Sequence, residues 1–575
     1  MAETSAAAEE NRAVTDGESD ATINENNEDS GDGTTSNQQL LHGAHLFLVI
    51  VSLFLAMLLA ALDQTIVATI ILTVGTKFRA FSKIQWITSG YLLAAAVLSP
   101  SWGKISIIFG RKWCILAAIV LFEIGSATCG SATSMNMLIV GRVIAGIGGG
   151  GIQVLVILIL TEIVPIQKRG MTQSLIGVAF GVASILGPLV GGAFTTHVTW
   201  RWCFYINLPI GAVAIVAVLV CFNPPPSRGS LKEKVKMIDY LGTFLLTSGL
   251  VLVLLGLTFG GDLYSWNSVA VILCFVLGGA IIILFGIYNF QVSTKPLIPW
   301  AVVRVPTVLM PILAMNFVFM AFISGIIYLS VYFQVVRSAS AIQSGLHLLP
   351  WLIATIVVSI VTGIMISKTR YIKPFTLTGI SIMCIGFGIL TLLQVDSTAG
   401  ERIAYLIIPG LGTGFMMQSL ALATQVAAPK HNGGVLIATS LLGFGRSLGG
   451  VIGVALGQTI LNVSLKSEFA KHNFSVNFSG ETLINNPAAI QELPQDVKDT
   501  LLQIYVQSLR NVLYFGLACC LAAFVSCLFI TNKRIPPPLH SAKIEGDAAE
   551  KDLGANLDDT SMQNVTEGSS RYGQA

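Results

Sequence analysis

The stretch GVASILGPLVGGAF, residues 181–194, has no charged side chain and places small residues at helical spacing. Such spacing lets a neighbouring helix backbone approach closely in a membrane. Pro188 removes one amide donor and bends the helix that contains it. The stretch therefore predicts a kinked, closely packed helix in an apolar environment, whose small residues are Gly177, Gly181, Gly187, Gly191 and Gly192.

The rest of the chain has the same apolar character. Of its 575 residues, 53% are hydrophobic and only 11% are charged, whereas soluble domains average about 25% charged residues. The mean hydropathy is +0.75. This composition predicts an all-α polytopic protein embedded in a lipid bilayer. The net charge of +3 is too small to indicate nucleic-acid binding.

Apolar stretches long enough to cross a bilayer recur along the chain. A membrane-spanning helix needs about 20 apolar residues, and fourteen stretches meet that length. An even number of spans puts both termini on one side of the membrane. The predicted spans are 44–66, 84–103, 113–132, 137–160, 172–194, 203–223, 239–259, 269–290, 308–335, 347–367, 374–394, 404–427, 433–461 and 509–531.

The basic residues of the loops indicate which side is cytoplasmic. Placing the termini inside puts most loop lysines and arginines in the cytoplasm, as the positive-inside rule requires. Residues 462–508 then form a long outer loop, in which Asn473 and Asn477 are predicted glycosylation acceptors. Residues 1–42 and 532–575 are polar and are predicted to be disordered cytoplasmic tails.

The polar segment 224–238 divides the spans unequally. It follows the sixth span and has the composition of a cytoplasmic linker. A second possible break precedes the ninth span, which leaves six spans, two spans and six spans. The predicted units are a bundle at 43–223, the linker at 224–238, an inserted pair at 239–300 and a second bundle at 301–531.

Signatures of catalysis and of ATP binding are missing from the sequence. We find no GxxxxGK[ST] phosphate loop, no GxSxG and no HExxH. The nine cysteines form no CxxC pair and have no histidines at metal-ligand spacing. We therefore expect no enzyme activity, no cofactor and no metal site.

Four motifs resemble one transporter family. They are ALDQTIVAT (61–69), GRVIAGIGGGG (141–151), the stretch at 181–194 and WRWCFYINLPIG (200–211). Together they resemble fourteen-span drug:proton antiporters of the major facilitator superfamily, including fungal azole and dye exporters and vacuolar basic amino acid transporters. The resemblance implies two six-helix halves around a central cavity, and it implies that the 181–194 motif shapes the outer gate. A packing face without that role is the alternative.

The loop GKISIIFGRK (103–112) resembles the family's conformational loop between spans 2 and 3 but departs from it. Ile107 stands where the family has an aspartate, so the charge latch that this aspartate would make is in doubt. The residues that match the family loop are Gly103, Gly110, Arg111 and Lys112.

An acid interrupts the apolar run LLAALDQTIVATIILTV at residues 58–74. Asp63 would lie about 25 Å along the first helix from Leu46, where a carboxylate costs about 2.5–3.5 kcal/mol. Such an acid lowers the cost by taking a proton, as a proton carrier must. Arg142 lies at a similar depth and is the predicted partner. One alternative is a bridge that only locks helices 1 and 4. Another is that Asp63 is an outer-end residue whose carboxylate snorkels to the membrane surface.

Three further charged residues fall within or beside predicted spans. Glu123 is a second candidate proton carrier, or a neutral helix-to-helix hydrogen-bonding group. Arg446 is predicted to neutralise Glu123 or an anionic group of the substrate, with structural bridging as the alternative. Glu162, at the end of the fourth span, is predicted to be an interfacial charge.

Other polar and aromatic residues are candidates for the substrate cavity. We predict that Gln64, Gln153, Phe317, Tyr328 and Gln334 line the cavity or its gate. Lipid-facing positions are the alternative for the aromatic residues. His347 is a weaker candidate for a proton role, since an unperturbed histidine titrates near neutral pH.

These observations predict a proton-coupled antiporter that exports amphipathic compounds such as azoles, cationic dyes or weak acids. Its partners would be small-molecule substrates, protons and lipid, and it would act as a monomer. The plasma membrane is the predicted location, with the vacuolar membrane as the alternative. Competing hypotheses are a basic amino acid:proton antiporter and a transporter-like sensor or scaffold.

Overall fold

The computed structural model describes residues 39–80, 83–227, 229–260, 264–431, 433–471 and 495–535. Fourteen helices in these ranges are long and apolar enough to cross a membrane, which confirms the predicted number. Residues 1–38 and 536–575, with most of the two predicted tails, lie outside the described residues, as do Asn473 and Asn477.

The spanning helices are labelled α1 to α14 in chain order. Short helices connect several of them, among them Ile71–Phe78 after α1 and Ala341–His347 before α10. The spanning helices are α1 Gly43–Ile66, α2 Gln85–Phe109, α3 Arg111–Gly130, α4 Met135–Ile163, α5 Ile166–His197, α6 Asn207–Cys221, α7 Tyr240–Phe259, α8 Val269–Ile287, α9 Pro306–Val335, α10 Leu349–Thr369, α11 Lys373–Leu390, α12 Ala399–Ala427, α13 Gly434–Lys471 and α14 Gln495–Leu528.

Some helices extend beyond the apolar segments that predicted them. In the predicted outer loop 462–508, α13 continues to Lys471 and α14 begins at Gln495, so both ends of that loop are helical. Asn511 of α14, which lies within the predicted span, donates a hydrogen bond to Ser464 in the extension of α13, 3.0 Å away. Hydropathy marks only the part of a helix that contacts lipid, so it misses turns that continue into water.

The predicted linker also contains a helix. Leu231–Lys236 begins at a capping box, in which Glu233 N–H donates to the Ser230 hydroxyl and the Glu233 carboxylate accepts from Ser230 N–H. The sequence SLKE at 230–233 carries this signature, since a serine followed three residues later by glutamate starts many helices.

The spanning helices pack as two bundles with a pair added at one side. In the first bundle α1 packs on α5 and α6, and α4 packs on α2 and α3. In the second bundle α12 packs on α10 and α11, and α9 packs on α13 and α14. Helices α7 and α8 pack on each other, and α7 contacts α2 and α13. The bundles meet where α5 faces α10 and α2 faces α13.

Small residues bring the bundles together on the predicted cytoplasmic side. A Cβ added to Gly170 of α5 would lie 3.1 Å from the Cα of Gly363 in α10, so the two backbones are in close contact. Nearby, the Ser367 hydroxyl donates to the carbonyl of Gln167. At the second contact between the bundles, where α2 faces α13, the Ser440 hydroxyl donates to the carbonyl of Ser99, 3.4 Å away. The cytoplasmic ends of the bundles are therefore joined in this conformation.

Candidate transport cavity

A cavity of about 380 Å³ lies between the two bundles. Its volume falls within the range of about 300–1,000 Å³ that small-molecule sites occupy. Helices α1, α2, α4 and α5 line one side, and α9, α10, α12 and α13 line the other. Most lining residues are apolar. The polar or charged ones are Gln64, Thr65, Thr88, Tyr91, Arg142, Gln153, Gln173, Ser184, Thr355, Ser359, Gln418, Thr439, Arg446 and Ser447.

The charged side chains that line the cavity are all positive in the described part of the chain. Arg142 and Arg446 both contribute to the lining, and no aspartate or glutamate does so among the described residues. A cation entering this cavity would meet no carboxylate directly. The lining therefore offers hydrogen-bond donors and apolar surface rather than a cation site.

Asp63 and Arg142 form a buried ion pair, as their depths predicted. Arg142 Nη1 lies 2.6 Å from Asp63 Oδ2, and Arg142 Nε donates to the carbonyl of Ile87 at 2.9 Å. The guanidinium also lies 4.4 Å from the ring centre of Tyr91. Both side chains are buried, and of the two only Arg142 lines the cavity. Arg142 therefore lies between Asp63 and the cavity, and the role of Asp63 in proton coupling stays a prediction.

Asn207 is a partner of Asp63 that the sequence reasoning missed. Its side-chain amide nitrogen lies 3.1 Å from Asp63 Oδ1 and 3.1 Å from the hydroxyl of Ser126. Asn207 begins α6 and is fully buried. The signal was a single polar residue inside the otherwise apolar INLPIG at 206–211.

Glu123 lies outside the cavity. Its carboxylate faces Gly211 of α6, and neither oxygen has a hydrogen-bond partner in the described structure. The predicted contact with Arg446 is wrong, because Glu123 lies between two helices of the first bundle and Arg446 lies across the cavity.

Arg446 instead joins the two halves of the lining. Its Nη2 donates to the Gln153 carboxamide oxygen at 3.1 Å, and its guanidinium lies 5.6 Å from the ring centre of Phe319. In the described structure it forms no ion pair. In the described structure its guanidinium therefore contacts neutral groups, and no carboxylate offsets its charge.

The residues predicted to line the cavity do so on α1 and α4 but not on α9. Gln64 and Gln153 line the cavity, but Phe317, Tyr328 and Gln334 of α9 do not. A position of these three residues at the gate stays a prediction. Tyr328 is buried away from the cavity, where its hydroxyl donates to the carbonyl of Val454 at 2.7 Å. The α9 residues that line the cavity recur every three to four positions and are Met315, Phe319, Phe322, Ile323, Ile326 and Ile327.

The glycine motif of α5 lies against three different parts of the structure, namely the cavity, α1 with the residues that follow it, and the helix Ala341–His347. Gly181 lines the cavity. A Cβ on Gly187 would lie 3.0 Å from the amide nitrogen of Ile66, so α1 packs directly on this position, and Gly191 packs on Ile66 and Thr69 in the same way. At the outer end, Gly192 and Pro188 lie beside Ile342 and Gly345 of the helix Ala341–His347. The predicted role in an outer gate stays a prediction.

The loop between α2 and α3 holds a second buried ion pair. Arg111 Nη2 lies 2.6 Å from Glu162 Oε1, and Arg111 Nε donates to Oε2 at 2.8 Å. Glu162 is the penultimate residue of α4, as expected of a charge near the membrane interface, and its side chain is buried within the protein. Gly110 has a φ of 92°, a conformation that favours glycine. Lys112 contacts the end of α6 through the Leu219 carbonyl at 2.8 Å.

Two further predicted residues lie away from the cavity lining. Gly103 packs on Ser440 of α13 at the contact between the bundles, close to Ser99. His347 stacks on Phe333 with ring centres 4.8 Å apart. Partial burial, together with Arg402 and Arg337, lowers the pKa of His347 below its usual range.

Comparison with known proteins links this architecture to a single family. The family model described as Major Facilitator Superfamily matches residues 53–454. Vacuolar basic amino acid transporter 5 of Saccharomyces cerevisiae is 33% identical, over 88% of this chain and 94% of its own length. Azole resistance protein 1 of the same yeast is 32% identical, over 88% and 92%. Efflux pump aflT of Aspergillus parasiticus is 35% identical, over 85% and 95%.

Solved structures share the fold at lower identity. A bacterial homologue of the human lysosomal transporter Spinster is 14% identical, with a TM-score of 0.52 over 87% of this chain and 100% of that chain. The human organic anion transporter MFSD10 is 12% identical, with a TM-score of 0.51 over 83% and 100%. At these identities the likeness concerns the fold alone.

Proposed function

The chain belongs to the major facilitator superfamily, and on that premise we propose that it is a proton-coupled antiporter that exports neutral amphipathic compounds. Its fungal relatives include both an azole resistance protein and a basic amino acid transporter. The two possibilities differ in the charge of the cargo, so the charge of the cavity bears on the choice.

The observation that carries the proposal is the pair of arginines in a lining without acids. A dibasic amino acid would bring its side-chain cation close to Arg446, and like charges brought together in an interface cost several kcal/mol. A neutral compound with an apolar body and hydrogen-bond acceptors meets no such penalty. We therefore narrow the expectation from cationic dyes and basic amino acids to neutral compounds such as azoles.

Coupling would follow from the Asp63–Arg142 pair. When Asp63 takes a proton, Arg142 loses its counter-charge while it lines the cavity. An unpaired guanidinium needs water around it, and an apolar cargo displaces that water. Cargo therefore binds better when Asp63 is ionised, and by reciprocity bound cargo favours loss of the proton. Mutual exclusion of proton and cargo is what an antiporter requires.

Alternating access would arise from rocking of the two bundles about the cavity. A single copy of the chain encloses the whole cavity, so we propose that a monomer suffices. With protons taken from the acidic outer side, cargo leaves the cytoplasm. The plasma membrane and the vacuolar membrane both provide such a gradient.

Reconstituted flux tests the proposal. Proteoliposomes with an imposed pH gradient would be loaded in turn with a neutral azole, a cationic dye and radiolabelled lysine. We expect gradient-driven movement of the azole that stops when an ionophore collapses the gradient. Lysine transport exceeding azole transport, or azole flux that ignores the gradient, would contradict the proposal.

Replacing Arg446 with glutamine should widen the charge range of the cargo. Removing one unbalanced positive charge removes a repulsion of about 1–3 kcal/mol, so cationic dye flux should rise about tenfold or more while azole flux changes little. Initial rates in the same vesicles measure both. Ser447→Ala alters the adjacent lining residue without changing the charge and is the matched control. An unchanged dye-to-azole ratio in Arg446→Gln would show that Arg446 does not select by charge.

A further inference from the structure

A second buried acid lies beside the Asp63–Arg142 pair but outside the cavity. Both carboxylate oxygens of Glu123 are buried without a hydrogen-bond partner in the described structure. Glu123 precedes Ser126 on α3 by one turn. It faces Gly211, which follows Asn207 on α6 by one turn. Glu123 is therefore about one helical turn from the groups that hold Asp63.

Polar groups continue from Asp63 toward this acid. Asn207 bridges Asp63 Oδ1 and the Ser126 hydroxyl, with both distances at 3.1 Å. The carboxamide oxygen of Asn207 is itself buried without a partner in the described structure. Buried acceptors of this kind are satisfied by a donor, either an ordered water or an acidic proton. The α3–α6 interface thus contains hydrogen-bond acceptors without a donor, on Asn207 and Glu123, and they lie next to Asp63, the acid proposed to carry a proton.

Charge balance decides which acid holds the proton. Arg142 supplies one positive charge, and Asp63 and Glu123 together can supply two negative ones. Leaving a carboxylate uncompensated in a membrane interior is costly, so a low-dielectric cluster favours one ionised acid. Asp63 is the one that contacts the arginine. Glu123 is therefore the neutral member when the pair is formed.

We propose that Glu123 is a second proton-carrying site and that protons move between it and Asp63 along the α3–α6 interface, apart from the substrate cavity. In the step, the Asp63 carboxylic acid releases its proton through water and the Ser126 hydroxyl to the Glu123 carboxylate. Asp63 becomes ionised and pairs with Arg142, while Glu123 becomes neutral. Net charge is unchanged. Asn207 acts as a positioning residue that holds Asp63 and Ser126.

The inference rests on the proposed antiport, and Glu123→Gln tests it. Azole affinity should stay within about twofold of wild type, because Glu123 does not line the cavity. Azole exchange across vesicles at equal pH needs no net proton release and should persist. Transport driven by a pH gradient should fall at least tenfold. Asn207→Ala should reduce driven transport in the same way but less severely, since water can replace its amide.

The controls separate three outcomes. Thr128→Val removes a hydroxyl from the same helix and should leave every readout unchanged. Among the described residues that hydroxyl bonds only to the carbonyl of Ile124, 2.7 Å away. Normal driven transport in Glu123→Gln, or equal loss of exchange and driven transport with Glu123→Asp giving no recovery, would overturn this inference. Wild-type protein that moves azole without regard to the gradient would instead overturn the proposed function itself.

Discussion

Replacing Asp63 with asparagine should abolish proton-driven export while leaving the protein in the membrane. Asparagine has nearly the same shape, and its side-chain oxygen can still accept the hydrogen bond from Arg142, now 2.6 Å long. It cannot take or release a proton. The cavity would then keep the unpaired charge of Arg142 in every state, which mimics permanent protonation and costs about 3–5 kcal/mol in a buried site. Drug resistance of cells and surface expression measure the two effects.

A double variant separates proton carriage from mere locking of α1 to α4. In Asp63→Asn/Arg142→Gln, two neutral amides replace the ion pair, so no uncompensated charge is left. We expect the double variant to regain thermal stability and azole exchange at equal pH but not gradient-driven transport. A pair that only locks the helices would let the double variant recover driven transport as well. Normal resistance in Asp63→Asn alone would remove Asp63 from the mechanism.

Features set by depth in the bilayer were predictable from the sequence. The number of spanning helices follows from hydropathy, because each crossing must be apolar for about 20 residues. The pairing of Asp63 with Arg142 followed from counting the rise along two helices and asking where a lone carboxylate finds a cation. Both inferences need only one coordinate, the distance along the membrane normal.

Features set by rotation about a helix axis were not predictable in this way. Helix α9 is apolar on all sides, so its sequence does not indicate which stripe faces the cavity and which faces lipid or its own bundle. Aromatic residues suggested Phe317 and Tyr328, whereas packing directs Phe319 and Phe322 to the cavity. An amphipathic soluble helix would have given its orientation through its polar face.

Contacts between residues far apart in the chain were also not predictable from the sequence. Asn207 and Asp63 are far apart in the sequence, and only the packing of α6 on α1 brings them together. Glu162 was expected near the membrane interface because it is followed closely by Lys168 and Arg169, but its pairing with Arg111 could not be inferred from the sequence. The sequence shows that such polar residues lie within or beside apolar segments, but it does not identify the residues that they contact.

Arg111→Met should destabilise the protein more than any neighbouring loop substitution. Arg111 and Glu162 form two hydrogen bonds of 2.8 and 2.6 Å with 1% and 5% of their side chains exposed. Removing the cation takes away the charge-assisted hydrogen bonds that it donates to a buried carboxylate, a loss of about 1.5–3 kcal/mol. We expect a lower melting temperature and a lower yield of monodisperse protein in detergent, measured by fluorescence-detected size-exclusion chromatography after heating.

Lys112→Met is the matched control, since it removes the adjacent positive charge from the same loop. Lys112 is only partly buried and contacts a carbonyl and Asn223 at the end of α6, so its loss should cost no more than about 1 kcal/mol. Arg111→Met combined with Glu162→Gln removes both charges and should recover most of the melting temperature. If Arg111→Met melts at the same temperature as Lys112→Met, the buried pair does not stabilise the junction of α2, α3 and α4. The positive charges of this loop would then contribute to membrane topology and not to the stability of the fold.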